Sequence, residues 1–340
     1  MKKLQILIPH YKEDFSVIKP LLDSINIQQN VNLKDDVGVI IVNDGDECTL
    51  DKELFKNYDY DIEYYINEHG GVSHTRNACL DKANADYVMF CDCDDMFCNV
   101  CGLWIIFREM TIKNEQSGKI GFDGLVSVFM EESRMPETKE ITYINRGDAN
   151  MGGVDVTFVH GKVYRREYLI DNNIRWDDNL TIHEDSYFNC LCQTLSTDIK
   201  YCPIPFYLWK WRDDSVCRHD PKYILKTYNN MLDSSTSLIL QLIKRNRVQD
   251  AQFRATSMIY DAYFTMNKDE WINQENKQYR DKTELRFKKF YDDFSYLMDA
   301  INQQVKAQII MGIKNRFFQE GLLMESITFE QWIEHIKKLK

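Results

Sequence analysis

Along the first 130 positions, short apolar runs alternate with stretches in which apolar residues recur every three or four places. The runs are Leu4–Pro9, Val37–Asn43, Ile62–Ile66, Tyr87–Cys91 and Leu125–Met130. All have strand length. Val37-Gly38-Val39-Ile40-Ile41-Val42 is apolar on both alternating faces, the pattern of a parallel strand covered by crossover helices. Phe15–Ile27, Ser73–Ala83 and Leu103–Lys113 carry the helical spacing between the runs. This alternation predicts an α/β domain with a mainly parallel sheet flanked by helices. The pattern changes at Pro221. Residues 222–340 contain no proline and two glycines, and apolar residues such as Ile224, Tyr228, Leu232, Leu238 and Leu242 keep helical spacing. The expected division is therefore an α/β domain over 1–220 and a helical C-terminal region over 221–340.

Composition narrows the classes. With 340 residues, 44% of them hydrophobic, the chain can build its core without disulfides. No run of 18 apolar residues occurs, so no membrane span is expected. Met1-Lys2-Lys3 followed by Leu4–Pro9 imitates a secretion signal, but His10-Tyr11-Lys12-Glu13-Asp14 follows where a small-residue cleavage site belongs, which predicts a first strand and a cytoplasmic protein. Ten cysteines, several inside apolar stretches, agree with a reducing compartment. The net charge is −11, unevenly spread: residues 222–340 hold 19 basic against 15 acidic residues, leaving 23 against 38 in the rest. An acidic N-terminal part argues against nucleic acid as a partner and suits a site that gathers a divalent cation. The mildly basic helical tail reads first as a solvated face. A peripheral membrane contact or a homo-oligomer through that tail is compatible with it.

The chemistry concentrates in Tyr87-Val88-Met89-Phe90-Cys91-Asp92-Cys93-Asp94-Asp95, a strand that ends in three carboxylates within four positions. Ligands of open α/β sheets bind at the carboxyl ends of strands. Acids this close repel unless a cation compensates, and Mn²⁺ or Mg²⁺ with oxygen ligands would supply that compensation and hold a diphosphate. An acidic turn capping the next helix fits the spacing equally well. No G-x-G-x-x-G follows the first strand, which disfavours a dinucleotide. The same segment offers a competing reading as a structural zinc module, Cys91-x-Cys93 with Cys98-x2-Cys101.

Six motifs in order decide between these readings: Ile8-Pro9-His10-Tyr11, Val42-Asn43-Asp44-Gly45, Gly71-Val72-Ser73-His74-Thr75-Arg76-Asn77, Asp92-Cys93-Asp94-Asp95, Gly161-Lys162-Val163-Tyr164-Arg165-Arg166 and His183-Glu184-Asp185. Together they resemble glycosyltransferase family 2, the inverting GT-A enzymes with a DXD motif, over roughly residues 4–220. The resemblance implies a nucleotide-sugar donor, most simply UDP-linked, and a metal-dependent transfer to a hydroxyl of a glycan, wall-polymer or protein acceptor. It implies that Pro9 and Tyr11 line the nucleobase pocket and that Asp44, with Asn67 as a second candidate, accepts a hydrogen from the base. Arg76 would reach the diphosphate or brace Asp92 and Asp94. Asp92 would hold the ribose and Asp94 the metal, with Asp95 a buttress. Gly70-Gly71 would place a positive helix end near anions.

An inverting transfer needs one base to take the acceptor proton, and the family gives that role to Asp185 over its neighbour Glu184. Tyr207–His219 resembles the loop that closes over the donor, with Arg212 and Ser215 toward the diphosphate and His219 as a third metal ligand. Tyr207, Trp209 and Trp211 there fit a sugar-stacking wall or simple packing. Lys12, His74-Thr75 and Cys93 depart from the family pattern, and none removes a charged catalytic group. A catalytically inactive scaffold of the same fold is the remaining alternative.

Overall fold

The computed structural model describes residues 1–340 except 46, 115–117, 136–137, 148–156, 214–219, 221, 320 and 322–326. Contacts divide the chain into two compact units, Met1–Asp213 and Asp214–Lys340.

The first unit is built on a seven-stranded sheet. In chain order its elements are β1 (Leu4–His10), α1 (Phe15–Asn26), α2 (Leu33–Asp36), β2 (Val37–Asp44), β3 (Asp61–Asn67), α3 (Val72–Lys82), β4 (Tyr87–Phe90), β5 (Met96–Phe97), α4 (Gly102–Thr111), β6 (Gly124–Ser127), β7 (Phe129–Arg134), β8 (Ile141–Arg146), β9 (Lys162–Arg165), α5 (Arg166–Asp171), α6 (Glu184–Leu195), β10 (Ile199–Cys202) and β11 (Tyr207–Trp209). The large sheet runs β10-β6-β9-β4-β1-β2-β3, and a second sheet runs β5-β11-β7-β8. Every pairing in the large sheet is parallel except those of β9 with β4 and β6. All eight residues of β2 are buried, as its doubly apolar pattern requires. On α1, Ile18, Leu21, Leu22 and Ile25 form the buried stripe.

The run Leu125–Met130, expected as one strand, is two. The chain breaks at Val128, with β6 in the large sheet and β7 in the small one. At the end of β6 the Ser127 N–H and hydroxyl both donate to the Gly161 carbonyl, at 3.0 and 3.1 Å, and the Val128 N–H donates to the Cys202 carbonyl. Gly161 has φ +65°, and a Cβ there would lie 2.3 Å from Ser127 Oγ, so a side chain is excluded on both counts.

α3 lacks an apolar stripe yet is deeply placed. Ser73, Thr75, Arg76 and Asn77 are buried together with Cys79 and Leu80. Buried polar groups must be hydrogen-bonded, so this helix is tied to neighbours by specific contacts. Ser73 Oγ donates to the Leu180 carbonyl, and Asn77 Nδ2 to the Trp176 carbonyl and Asp178 Oδ1. These bonds fix the segment that leads into α6.

The second unit is helical: α7 (Tyr223–Lys244), α8 (Val248–Met266), α9 (Asp269–Ile272), α10 (Lys277–Ala300), α11 (Gln303–Gln319) and α12 (Phe329–Lys338). Leu232, Leu238, Ile239, Ala255, Ile259, Phe287, Phe290 and the indoles of Trp271 and Trp332 form its interior. Thr328 and Gln331 start α12 with a reciprocal capping box. Among the described residues no helix is long and apolar enough to cross a membrane.

Candidate active site

A cavity of about 450 Å³ opens at the carboxyl ends of β1, β2 and β4. Its mouth is lined by Pro9, Tyr11, Asp44, His69 and Gly70–Gly71, and its floor by Asp92, Cys93, Asp94 and Arg212. Six of the eleven residues singled out from sequence for binding, catalysis or metal therefore meet one space: Pro9, Tyr11, Asp44, Asp92, Asp94 and Arg212. Asn67 ends β3 opposite Asp44 in register but is not among the lining residues. Ser215 and His219 lie outside the described residues, as do Gly152 and Gly153.

Asp44 is almost fully buried. Its two carboxylate oxygens accept from the N–H groups of Gly70 at 2.7 Å and Gly71 at 2.9 Å. The expectation that these glycines face a ligand's anion is thus corrected: the anion at the start of α3 is Asp44 itself. Gly71, at φ +87°, is the N-cap, and its backbone conformation is what turns both N–H groups inward.

The floor is an interlocked acid loop. Tyr207 Oη donates to Asp95 Oδ2 at 2.5 Å and accepts from the Asp92 N–H at 3.2 Å, while the Lys210 N–H donates to Asp95 Oδ1 at 2.9 Å. His160 stands behind the loop, its Nε2 3.8 Å from Asp92 Oδ2 and 3.7 Å from Asp95 Oδ2. Phe129, Phe158, Tyr207 and Trp209 box the imidazole, with ring centroids 4.9 to 5.4 Å away. The aromatics Tyr207 and Trp209 are packing around His160, whereas Trp211 Nε1 bonds exposed Asp213. Burial and the neighbouring Asp94 and Asp92 charges push the Asp95 carboxyl well above the usual range. Burial and Asp92 also raise Asp94, against the pull of Arg212, whose Nη1 lies 3.1 Å from Asp94 Oδ2.

Arg76 is buried beneath this loop and does not line the cavity. Its Nη2 meets Asp92 Oδ1 and its Nη1 meets Glu184 Oε1, both at 2.8 Å, and its guanidinium lies over the Trp176 ring at 4.5 Å. It braces Asp92 and Glu184, not Asp94. Burial alone would raise Asp92, but Arg76 and His160 hold it well below the carboxylate range. Glu184 is thereby committed. Asp185, in the first turn of α6, accepts only a short-range bond from the Ser186 N–H at 2.7 Å, and among the described residues it has no ion-pair partner. Burial first, and then the Glu184 charge, push its carboxyl up to about 7. His183, the N-cap of α6, adopts φ +63°, a strained value for a side-chain-bearing residue.

His160 and Trp176 escaped the sequence reading because each is remote in sequence from the acids it serves. The four thiols of the zinc reading do not assemble. Cys91 and Cys93 join the apolar core, Cys93 also reaching the cavity floor, whereas Cys98 is exposed. Among the described residues, three metal-ligating atoms come together only at Asp92, Asp95 and His160, within 4.8 Å of one another.

Comparison with known proteins follows the same segment. Residues 5–98 match the family model described as Glycosyl transferase family 2. The teichoic acid poly(glycerol phosphate) polymerase of Staphylococcus epidermidis is 35% identical over 99 residues, 28% of this chain and 13% of that protein. Glycosyltransferase GlyA of Streptococcus pneumoniae is 25% identical over 237 residues, 64% of this chain and 32% of that one. The chain spans less than a third of the length of either relative. The crystal structure of Staphylococcus aureus TarS residues 1–349 superposes with a TM-score of 0.60 at 15% identity, covering 94% of this chain and 92% of that one. The fold is GT-A, a mixed α/β core with a helical C-terminal region.

Proposed function

From the premise that this chain belongs to glycosyltransferase family 2, we propose that it transfers a sugar from a UDP-linked donor to an acceptor hydroxyl with inversion. One observation carries this reading. A single cavity joins an aromatic mouth to an acid floor, and buried Arg76 ties that floor to the helix bearing Asp185. The GT-A neighbour TarS has been crystallised with UDP and with UDP-GlcNAc, which supports a donor of that kind here.

Pro9, Tyr11 and Asp44 take the nucleoside at the mouth, and Asp92 the ribose. Two donor sets share Asp92: Asp95 with His160 on the dry side, and Asp94 on the cavity side. The oxygen-rich set suits Mn²⁺ or Mg²⁺. Both Asp95 oxygens already accept hydrogen bonds, so we assign the ion to Asp92 and Asp94 and a buttressing role to Asp95 and His160. When bound, the ion would offset the charge growing on the departing nucleoside diphosphate. Arg212 pairs with Asp94 without ligand; released, its guanidinium is placed to meet the diphosphate.

Asp185 is the base. Its carboxylate takes the acceptor hydroxyl proton as the oxygen bonds to the anomeric carbon, and the bond from that carbon to the phosphate oxygen breaks with its electron pair leaving on the nucleotide. Arg76 supports the choice by holding Glu184 in an ion pair. No general acid is needed, because the diphosphate is already a good leaving group, unlike a glycosidase's sugar.

The test is a thermal-shift and hydrolysis panel of nucleotide sugars with and without Mn²⁺. UDP-linked donors should stabilise the protein and be slowly hydrolysed, and Asp94→Ala should lose the metal-dependent part of both. An unchanged metal response in that variant would refute the assignment. Stabilisation by UDP without any turnover would indicate the inactive scaffold.

A further inference from the structure

The mouth of the cavity holds two rings whose mutual contact the transfer chemistry leaves unexplained. Tyr11 and His69 lie face to face, centroids 4.9 Å apart and planes 19° from parallel. Core packing does not impose the contact, since Tyr11 is 40% exposed and the His69 side chain 61%. Both rings line the cavity.

Each ring is held at its rim while its inner face stays available. The Tyr11 N–H donates to Glu13 Oε2 at 2.8 Å, and Lys12 Nζ lies over the Tyr11 ring, 4.9 Å from its centroid. Lys12 is itself anchored 2.6 Å from Glu47 Oε2. A base therefore has the inner face of Tyr11 to stack on, and His69 now occupies it. His69 Nδ1 stands 3.0 Å from Asp44 Oδ2 and 3.2 Å from the Asp44 carbonyl oxygen; Gly70 and Gly71 beyond it are held by Asp44, so it is the exposed side chain that can turn about its own bonds. A flat ring between two others needs about 7 Å, twice a van der Waals contact of roughly 3.5 Å, so the present spacing is the closed form.

We propose that Tyr11 and His69 are the two jaws of a clamp that takes the planar base of the nucleoside diphosphate between them, which makes His69 a binding residue. This rests on the reading that the cavity holds a nucleotide. Two opposed aromatic faces fit a base better than a sugar, which stacks on one. Asp44 Oδ1 keeps a lone pair beyond the one used by Gly70, enough to accept a ring N–H, while Oδ2 already faces Gly71 and His69.

The experiment is calorimetric titration of uridine and UDP into the full chain in EDTA, so that the acid floor contributes no metal term. His69→Ala should weaken both ligands about tenfold, the scale of one lost base stack. His69→Phe should stay within about twofold of wild type. His69→Asn, which can bond Asp44 but has no ring, should be as weak as His69→Ala. Uracil H5 and H6 should shift upfield on binding, and less so in His69→Ala. Because His69 is exposed, melting temperatures should match within about 2 °C. Wild-type affinity in His69→Ala overturns the clamp, and so does an Asn variant that binds while the Phe variant fails. If the wild-type chain binds neither uridine nor UDP, in EDTA or with Mn²⁺, the transferase reading falls and the clamp with it; if it binds either ligand and His69→Ala binds it equally, only the clamp falls.

Discussion

The floor and the mouth of one cavity are built by opposite means. At the floor, Asp95, His160, Tyr207 and Arg76 are buried and half-buried Asp92 joins them, in a network where both carboxylates have a fixed partner. At the mouth, Tyr11, Lys12, Glu47 and His69 are exposed and hold one another by stacking and a surface ion pair. Charges buried without partners are costly, so the floor has to be complete before any ligand arrives. Solvated groups bear no such cost, and the mouth can rearrange around what it binds. The contrast implies that the geometry of the reacting centre is set by folding and that nucleoside recognition is completed on binding.

The hardest test of this contrast is Asp185→Asn. Transfer should fall by about 10³-fold, within the range of a lost general base, while UDP affinity is unchanged. A variant retaining more than a tenth of the activity would break the assignment. Arg76→Met comes next. It strands Asp92 and Glu184, and should cost about 3–5 kcal/mol, seen as a melting temperature lower by roughly 10 °C, with Arg76→Lys recovering part of it.

A matched pair of tyrosine variants sharpens the comparison. Tyr207→Phe at the floor deletes a hydroxyl that serves both Asp92 and Asp95, and should cost about 1–3 kcal/mol in denaturant titration. Tyr11→Phe at the mouth should cost nothing measurable; equal losses would erase the distinction.

The smallest effect is in pH. With the Asp185 carboxyl pushed up to about 7, transfer should rise as pH increases through neutrality, because the base acts ionised. Stability runs the other way. A folded-state value above the unfolded one favours the protonated fold, a contribution fully present below about pH 4 and lost as pH climbs through about 7. Asp185→Asn should therefore melt above wild type at pH 8, with the gap closing in acid. A profile flat between pH 6 and 8 would place the base elsewhere.

Much of the architecture was legible in the chain. The runs at Leu4, Val37, Ile62 and Tyr87 became β1 to β4 within a residue or two, because strand length and, for β1, β2 and β4, burial on both faces leave few other options. Leu125–Met130 misled because hydrophobicity does not say which sheet a residue joins, and its two halves pair with different strands. Asp44 was legible as important, but its partners were assigned to a ligand, since no spacing rule tells that Gly70 and Gly71 turn their N–H groups back on it. α3 gave a signal that could have been read further: a helix with no apolar stripe in the middle of an α/β domain has to satisfy buried polar groups somewhere.

By itself the sequence determined the order of strands and helices, the place where carboxylates gather and the type of chemistry they support, because each of these depends on residues close together in the chain. Only the tertiary structure decided that Arg76 would reach Glu184 across 108 positions and join it to Asp92, that Asp185 would have no ion-pair partner among the described residues, and that His160 would stand behind the acids. Those pairings are fixed by packing in a low-dielectric interior, where a charge takes whichever partner folding brings within reach.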